Sequence, residues 1–366
     1  MLNQNTRRVY IAATRQNDGK TTTSLGLFHA LKKRFKNLGY IKPVGQRFVE
    51  VNGLKIDEDS VLMERTYQVQ VPLEDMSPIA VEHHFTRNFL TEGNVKPLEK
   101  KLENAFNRAA WEKDFVIIEG SGHAGVGSVF QLNNARVAKL LKSKVVIITR
   151  GGIGAPVDEV ALNLALFEKH NVEVIGVILN KVLPEKLEVV EEFASKAFAT
   201  LGLPVLGVLP QQKVLASPTV HQIAQAIEGR FLNENSCKRS RIGRIILGAM
   251  SSGHLVEHFS QDALVITPGD REDLILAALL GVVLQPEKVS IAGLILTEKM
   301  KPSETIQKLI LQANIPVILT EKDSYNVVST IYGMTVKTEA EDEDKITAIQ
   351  KLIEERVKID ELLQKV

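Results

Sequence analysis

The stretch Val9-Tyr10-Ile11-Ala12-Ala13-Thr14-Arg15-Gln16-Asn17-Asp18-Gly19-Lys20-Thr21-Thr22 decides how the chain is read. Val9 to Ala13 is a short apolar run, the pattern of a strand buried on both faces. Lys20 to Phe35 has helical spacing, with Phe28, Leu31 and Phe35 on one face. A loop between such a strand and such a helix aims its amides, and the positive helix end, at an anion. Gly19 permits close backbone approach. Lys20 is placed to reach β- and γ-phosphates, and the Thr21 hydroxyl to ligate Mg²⁺. Arg15, Asp18, Gly19, Lys20, Thr21 and Thr22 are therefore the expected nucleotide-binding residues. The loop is irregular, since the usual first glycine of a P-loop falls at Thr14. The bland alternative is a helix start capped by Asp18, with Lys20 a solvated side chain.

A phosphoryl site also needs oxygen ligands for its metal, and ligand groups in open parallel sheets gather at the carboxyl ends of the strands. Glu119 ends the apolar run Phe115-Val116-Ile117-Ile118 and precedes Gly120-Ser121-Gly122-His123, expected to be a mobile loop. Lys42 ends the second strand, Leu38 to Lys42, where a cation stabilises charge on a transferring phosphoryl group. Its alternative is a surface lysine before a proline turn. Asp59, in Asp57-Glu58-Asp59-Ser60, is a further carboxylate; taken alone, Asp57 and Asp59 read as a solvated helix start.

Outward from this segment, the first half alternates apolar runs with amphipathic stretches. Strands are expected at Val145 to Thr149, Glu173 to Leu179 and Val205 to Val208, with helices between them. That pattern predicts an α/β fold: a P-loop NTPase-type, Rossmann-like parallel sheet with helices on both faces. With 366 residues, two domains are expected. We place the first at 1–232, a polar linker at 233–241 and a smaller α/β domain at 242–366. Strands of the latter are expected at Arg244 to Leu247, Ala263 to Thr267, Ser290 to Leu296 and Pro316 to Leu319. The charged helix Asp342 to Gln364 carries an apolar stripe, Ile346, Ile349, Ile353 and Val357, expected to dock on the second domain.

Composition narrows the function classes. The chain is 44% hydrophobic and 24% charged with a net charge of +1, so no global field or aromatic platform points to nucleic acid. Cys237 is the only cysteine, which excludes an intrachain disulfide and a cysteine metal cluster. No signal-peptide core or membrane-length apolar run is read, so a cytoplasmic protein without membrane contact is expected. His83 and His84, read as strand neighbours, face opposite sides and make a poor metal pair. His123 ranks below the lysines as a contact, and Ser121 has no His-Asp partners to make it a nucleophile.

The P-loop, Lys42-Pro43-Val44, Asp59, Glu119-Gly120-Ser121-Gly122 and Val177-Ile178-Leu179-Asn180-Lys181-Val182 together resemble dethiobiotin synthetase over about the first 210 residues. That family's loop has one more residue, its first glycine aligning with Ala13. The resemblance implies that Thr21, Asp59 and Glu119 hold Mg²⁺, that Lys20 and Lys42 contact phosphates, and that Asn180 reads the adenine edge. A closer resemblance is to the amino-terminal part of long bacterial phosphate acetyltransferases, in which a dethiobiotin-synthetase-like module precedes a DRTGG domain and a catalytic domain. It rests on Arg150-Gly151-Gly152-Ile153-Gly154, Leu215-Ala216-Ser217-Pro218-Thr219-Val220 and Val265-Ile266-Thr267-Pro268-Gly269-Asp270-Arg271-Glu272-Asp273. In the last of these, Glu272 and Asp273 replace the signature's two glycines. The chain stops where that family's catalytic domain begins, so acetyl transfer is not implied. Pairing of DRTGG domains implies a homodimer, with Arg271 at its interface; Asp270 reads as a helix cap.

The expectation is a Mg·ATP-binding regulatory or sensory protein, with a short phosphate acetyltransferase as a further partner. The alternative is an ATP-dependent synthetase acting through phosphoryl transfer, with Lys20 and Lys42 catalytic. A structural interaction protein with a degenerate loop is the third reading.

Overall fold

The computed structural model describes residues 2–233, 239–260, 262–284 and 291–366; Cys237 and most of the expected linker lie outside them. The chain forms two compact units, residues 1–214 with 338–366, and residues 215–337.

The first unit is built on six parallel strands: β1 (Arg7–Ala13), β2 (Leu38–Ile41), β3 (Phe115–Glu119), β4 (Lys144–Arg150), β5 (Val174–Val182) and β6 (Val205–Pro210). Their order is β6-β5-β4-β1-β3-β2. β1 is central, and its interior residues from Val9 to Ala13 are all at most 1% exposed. This is why its run is apolar throughout rather than alternating. The chain winds to one side of β1 through β2 and β3, then to the other through β4 to β6. The loop after β1 thus lies at the switch point, where open parallel sheets hold ligands. Register fixes what gathers there: Ile11 pairs with Glu119, Ala13 with Ile148, and Arg150 with Asn180.

Helix α1 (Lys20–Lys32) follows the loop. Leu25, Leu27, Phe28, Ala30 and Leu31 are all buried, so α1 is apolar on more than its sheet-facing side. A helix buried all round needs a second cover. The cover is α3 (Glu343–Arg356), and α2 (Glu58–Tyr67) contributes beside it. Ile353 packs on Gly26, and Glu354 pairs with His29 at 3.4 Å and with Lys33. The Gln350 amide donates to the Tyr67 hydroxyl at 3.2 Å, which itself donates to the Leu25 carbonyl at 2.8 Å. This corrects the expectation that the tail docks on the second domain. Its stripe specifies that a partner surface exists but not which one, and α1 supplies it. Beyond α3, Val357 bridges to Gly207 and the Lys358 amide donates to the Leu206 carbonyl at 2.8 Å. The tail thereby covers the exposed edge of β6.

The second unit is a five-stranded sheet: β7 (Arg230–Phe231), β8 (Arg244–Leu247), β9 (Ala263–Pro268), β10 (Ile291–Thr297) and β11 (Val317–Leu319), in the order β7-β11-β10-β9-β8. β7 is antiparallel to β11 and the other pairs are parallel. Ala263 and Val265 face one apolar cluster while Leu264 and Ile266 face the other, so both faces are buried. The segment 215–232 belongs to this unit, through β7 and the helix Val220–Ala226, rather than to the first. Asn233 also belongs here: it is buried, with its amide nitrogen on the Ile315 carbonyl at 2.7 Å and its oxygen accepting from the Val317 amide at 3.0 Å. A polar residue read as linker is therefore a satisfied interior contact.

Candidate functional site: the loop after β1

The loop 14–19 is held from three sides. Asp18 is fully buried. It accepts from the Thr14 hydroxyl at 2.9 Å and from Arg150 Nε at 2.8 Å. The Thr14 amide donates to the Ile148 carbonyl at 2.9 Å, and the Thr14 hydroxyl lies 3.1 Å from that of Thr149. The residue standing where a P-loop has its first glycine therefore braces the loop with its hydroxyl. From beneath, Asn180 donates to the Asp18 carbonyl at 2.9 Å, and Lys181 donates to the Asn17 carbonyl at 2.7 Å. Gly19 has φ +104°, and a Cβ there would lie 2.0 Å from Asn180 Nδ2. Only glycine combines that backbone with that approach.

Asp18 does not cap α1, which starts without a side-chain cap. Lys20 is not solvated either: it is buried and donates to the Gly122 carbonyl at 2.9 Å. Burial lowers its pKa to about 8; Glu119 opposes that shift and Lys42 adds to it.

Beside Lys20 the structure gathers a cluster of ionisable groups. The Thr21 hydroxyl donates to Glu119 Oε1 at 2.8 Å, and the Tyr40 hydroxyl to Glu119 Oε2 at 3.0 Å. Lys42 is buried, not a surface lysine. Its ammonium bonds to Asp59, lies 3.0 Å from Asp57 Oδ1 and 3.8 Å from Glu119 Oε1. Asp57 caps α2 through the Asp59 amide at 3.0 Å, so the residue read as a solvated helix start is an inward-facing carboxylate. Burial works against the charge on Lys42, but Asp59, Asp57 and Glu119 together outweigh it and hold the ammonium well above its usual range. Burial raises the Glu119 and Asp57 carboxyls; Asp59 adds to both shifts and Lys42 opposes them. Burial, then Glu119, likewise raises Tyr40. Groups perturbed by burial and by specific charged neighbours at the carboxyl ends of the strands make this cluster the candidate site.

The loop 120–123 is pinned by Asn134, which accepts from the Ser121 amide at 3.1 Å and from the Tyr10 hydroxyl at 2.7 Å. Asn134 also donates to the Ser121 carbonyl at 2.7 Å and the His123 carbonyl at 2.5 Å. His123 Nδ1 accepts from the Gly125 amide at 3.2 Å, a local contact. Arg15 is half exposed and pairs with Glu159 at the rim. Thr22 lies in the first turn of α1, partly buried. His83 and His84 occupy a turn rather than a strand, their rings 4.7 Å apart. In the second unit Arg271 pairs with Asp273 at 2.9 Å and donates to the Met250 carbonyl at 3.3 Å.

Sequence reading missed Thr14, Tyr40, Arg150 and Asn134, and passed over Asp57. Among the described residues no trio of His, Cys, Asp or Glu side chains forms a ready-made metal cluster. No described helix is long and apolar enough to cross a membrane.

Comparison with known proteins gives two family matches, one following the other along the chain. The AAA domain family matches residues 7–219, and the DRTGG domain matches residues 222–334. Curated relatives are phosphate acetyltransferases, among them those of Nitratidesulfovibrio vulgaris (26% identical, 97% of this chain, 51% of the relative) and Pseudomonas aeruginosa (27%, 97% and 51%). The chain spans about half the length of the curated relatives it matches. Similar solved structures include the MinD cell division protein of Aquifex aeolicus (15% identical, TM-score 0.34, 56% of this chain and 83% of that one). Another is the CBS and DRTGG domains of the regulatory region of Clostridium perfringens pyrophosphatase, complexed with the activator diadenosine tetraphosphate (20%, TM-score 0.27, 50% and 86%). With a P-loop between β1 and α1 and a family match over more than half its length, the chain belongs to the AAA domain family and carries a DRTGG domain after it.

Proposed function

We propose that the first unit binds Mg·ATP at the loop 14–19 and the start of α1, as a regulatory nucleotide-binding module. The observation that carries this is the buried Lys20 ammonium on the Gly122 carbonyl, beside the Thr21–Glu119 contact. A lysine is rarely buried without a countercharge of its own. Here it exchanges a carbonyl for phosphate oxygens. Gly19, Thr21 and Thr22 offer amides at the amino end of α1. Asp18 and Asn180 keep the loop in shape, with Asn180 assigned to the adenine as well, and Arg15 reaches phosphate from the rim.

The residues fit a magnesium ion. Mg²⁺ favours a few protein oxygens completed by water and phosphate. Thr21, Asp59 and Glu119 supply a hydroxyl and two carboxylates, and Lys42 already sits among the carboxylates as a cation. Lys42 faces Asp57, Asp59 and Glu119, one ammonium against three carboxylates, so the cluster favours added positive charge. When bound, the metal neutralises charge on the phosphates.

Calorimetric titration with Mg·ATP tests the reading. Lys20→Ala is expected to weaken binding about 100-fold, or ~3 kcal/mol. Unchanged affinity in that variant would end the proposal. Phosphoryl transfer of the synthetase type is the second reading, favoured by the Lys42 ammonium near Glu119. Phosphate release from ATP that depends on bicarbonate plus an amine or acid would establish it over a purely regulatory role. Similarity to phosphate acetyltransferases supports two partners for the regulatory reading, a second copy of this chain and a phosphate acetyltransferase.

A further inference from the structure

The second unit contains a cleft of about 500 Å³ at the carboxyl ends of β10 and β11. Pockets of this size hold small organic ligands, and strand carboxyl ends are where parallel sheets hold them. Four cations line it: Arg230, Lys299, Lys301 and Lys322. Two carboxylates, Glu228 and Glu321, also line it, leaving an excess of positive charge. Lys299 pairs with Glu321, and Lys322 lies 2.9 Å from Glu228, with both carboxylates exposed. Exposed pairs of this kind are worth ~1 kcal/mol or less, so an incoming anion competes with them easily. The floor is apolar and polar together: Ile227, Leu319 and the buried Thr320, whose hydroxyl donates to the Ile227 carbonyl at 2.8 Å.

The cleft is built rather than incidental. Arg230 pairs in register with Leu319 on β11, which fixes its height at the strand ends. The turn after β10 places Glu298 (φ 62°) and Lys299 (φ 57°) consecutively in the left-handed region. Each costs roughly 1–2 kcal/mol for a residue with a side chain. Two backbone bonds hold them there: Glu298 N to Lys322 O at 3.0 Å and Lys299 N to Thr320 O at 2.8 Å. Over-determined strain of this kind gathers at ligand sites. On its other side the turn abuts Gly269, where a Cβ would lie 1.7 Å from the Met300 carbonyl oxygen. The glycine that opens Gly269-Asp270-Arg271 thus lets the basic turn close down on the sheet.

We propose that this cleft binds a small organic phosphate, its phosphate held by Arg230 and Lys301 with Lys299 and Lys322 released from their carboxylates. An arginine fork beside lysines suits a dianionic phosphate, and the apolar floor suits an organic moiety.

The test is calorimetry on the full chain carrying Lys20→Ala, which removes the proposed phosphate contact of the first unit, with pyrophosphate and AMP as probes. At least one is expected to bind with Kd below about 1 mM. AMP binding identifies a phosphate ester, and pyrophosphate binding alone identifies recognition of the phosphate group itself. Arg230→Glu with Lys301→Glu is expected to weaken binding at least tenfold, while Arg230→Lys with Lys301→Arg retains it. Thermal melts check folding, and Arg230→Gln with Lys301→Gln replaces the reversed pair if that pair melts early. Absence of binding by both probes at about 10 mM, or equal affinity in the charge-reversed protein, would overturn the proposal.

Discussion

At the carboxyl ends of its strands the first unit carries Lys42, Glu119, Arg150 and Asn180, whereas the second carries Thr267, Thr297 and Thr320. Both sheets are mainly parallel and both are apolar within. Among the described residues, every buried ionisable side chain belongs to the first unit. In the second, the charges around the cleft stand on strand β7 and on surface turns, at least partly exposed, over a floor of Ile227, Leu319 and Thr320. Buried, mutually coupled charges provide poised chemistry at a cost in stability, whereas exposed charges provide reversible anion binding at little cost. The same edge of the same architecture is thus specialised in two directions.

The largest expected effect sharpens that contrast. Lys42→Met leaves Asp57, Asp59 and Glu119 without their common cation. It is expected to destabilise the protein by about 3–5 kcal/mol in urea unfolding followed by circular dichroism. Thr297→Val removes only the 2.9 Å contact with the Ser324 hydroxyl and is expected to cost about 1 kcal/mol in the same measurement. Equal losses would erase the distinction between the two edges.

Between these lies Gly19→Ala. The left-handed backbone and the approach of Asn180 predict a loss of about 2 kcal/mol, with weaker Mg·ATP binding. A variant as stable as the parent would show that the loop relaxes freely.

A pH series gives a smaller, graded effect. The folded pKa of Lys20, about 8, lies below its ordinary value of 10.5. Below pH 8 the residue is charged folded and unfolded, and the cost of burying it is fully present. Between 8 and 10.5 the unfolded chain binds more protons, so this residue's contribution makes stability rise with pH. Nucleotide affinity runs the other way, falling above pH 8 with a limiting slope of about tenfold per unit. Lys20→Ala is expected to remove that slope.

Much of the first unit was legible because its signals are local. Val9 to Ala13, Gly19-Lys20 and the position of Glu119 after a strand each need only a few neighbours to be interpreted. Tyr40, Arg150 and Thr14 were illegible for a different reason. In strands buried on both faces, alternation does not reveal which residue faces Glu119. The Arg150–Asp18 bond joins residues 132 positions apart, and no spacing encodes it. The tail failed similarly, since its stripe fits any apolar helix, and α1 became its host only through burial on several sides.

Because residues 338–366 return to the first unit, residues 215–337 are an insertion closed at both ends. Docking α3 on α1 while the insertion is unfolded means closing a disordered loop of more than a hundred residues. That carries an entropic cost of roughly 4 kcal/mol. Once the insertion folds, its ends are fixed and most of that cost has already been met. Folding of the second unit therefore stabilises the tail on α1 through chain connectivity alone.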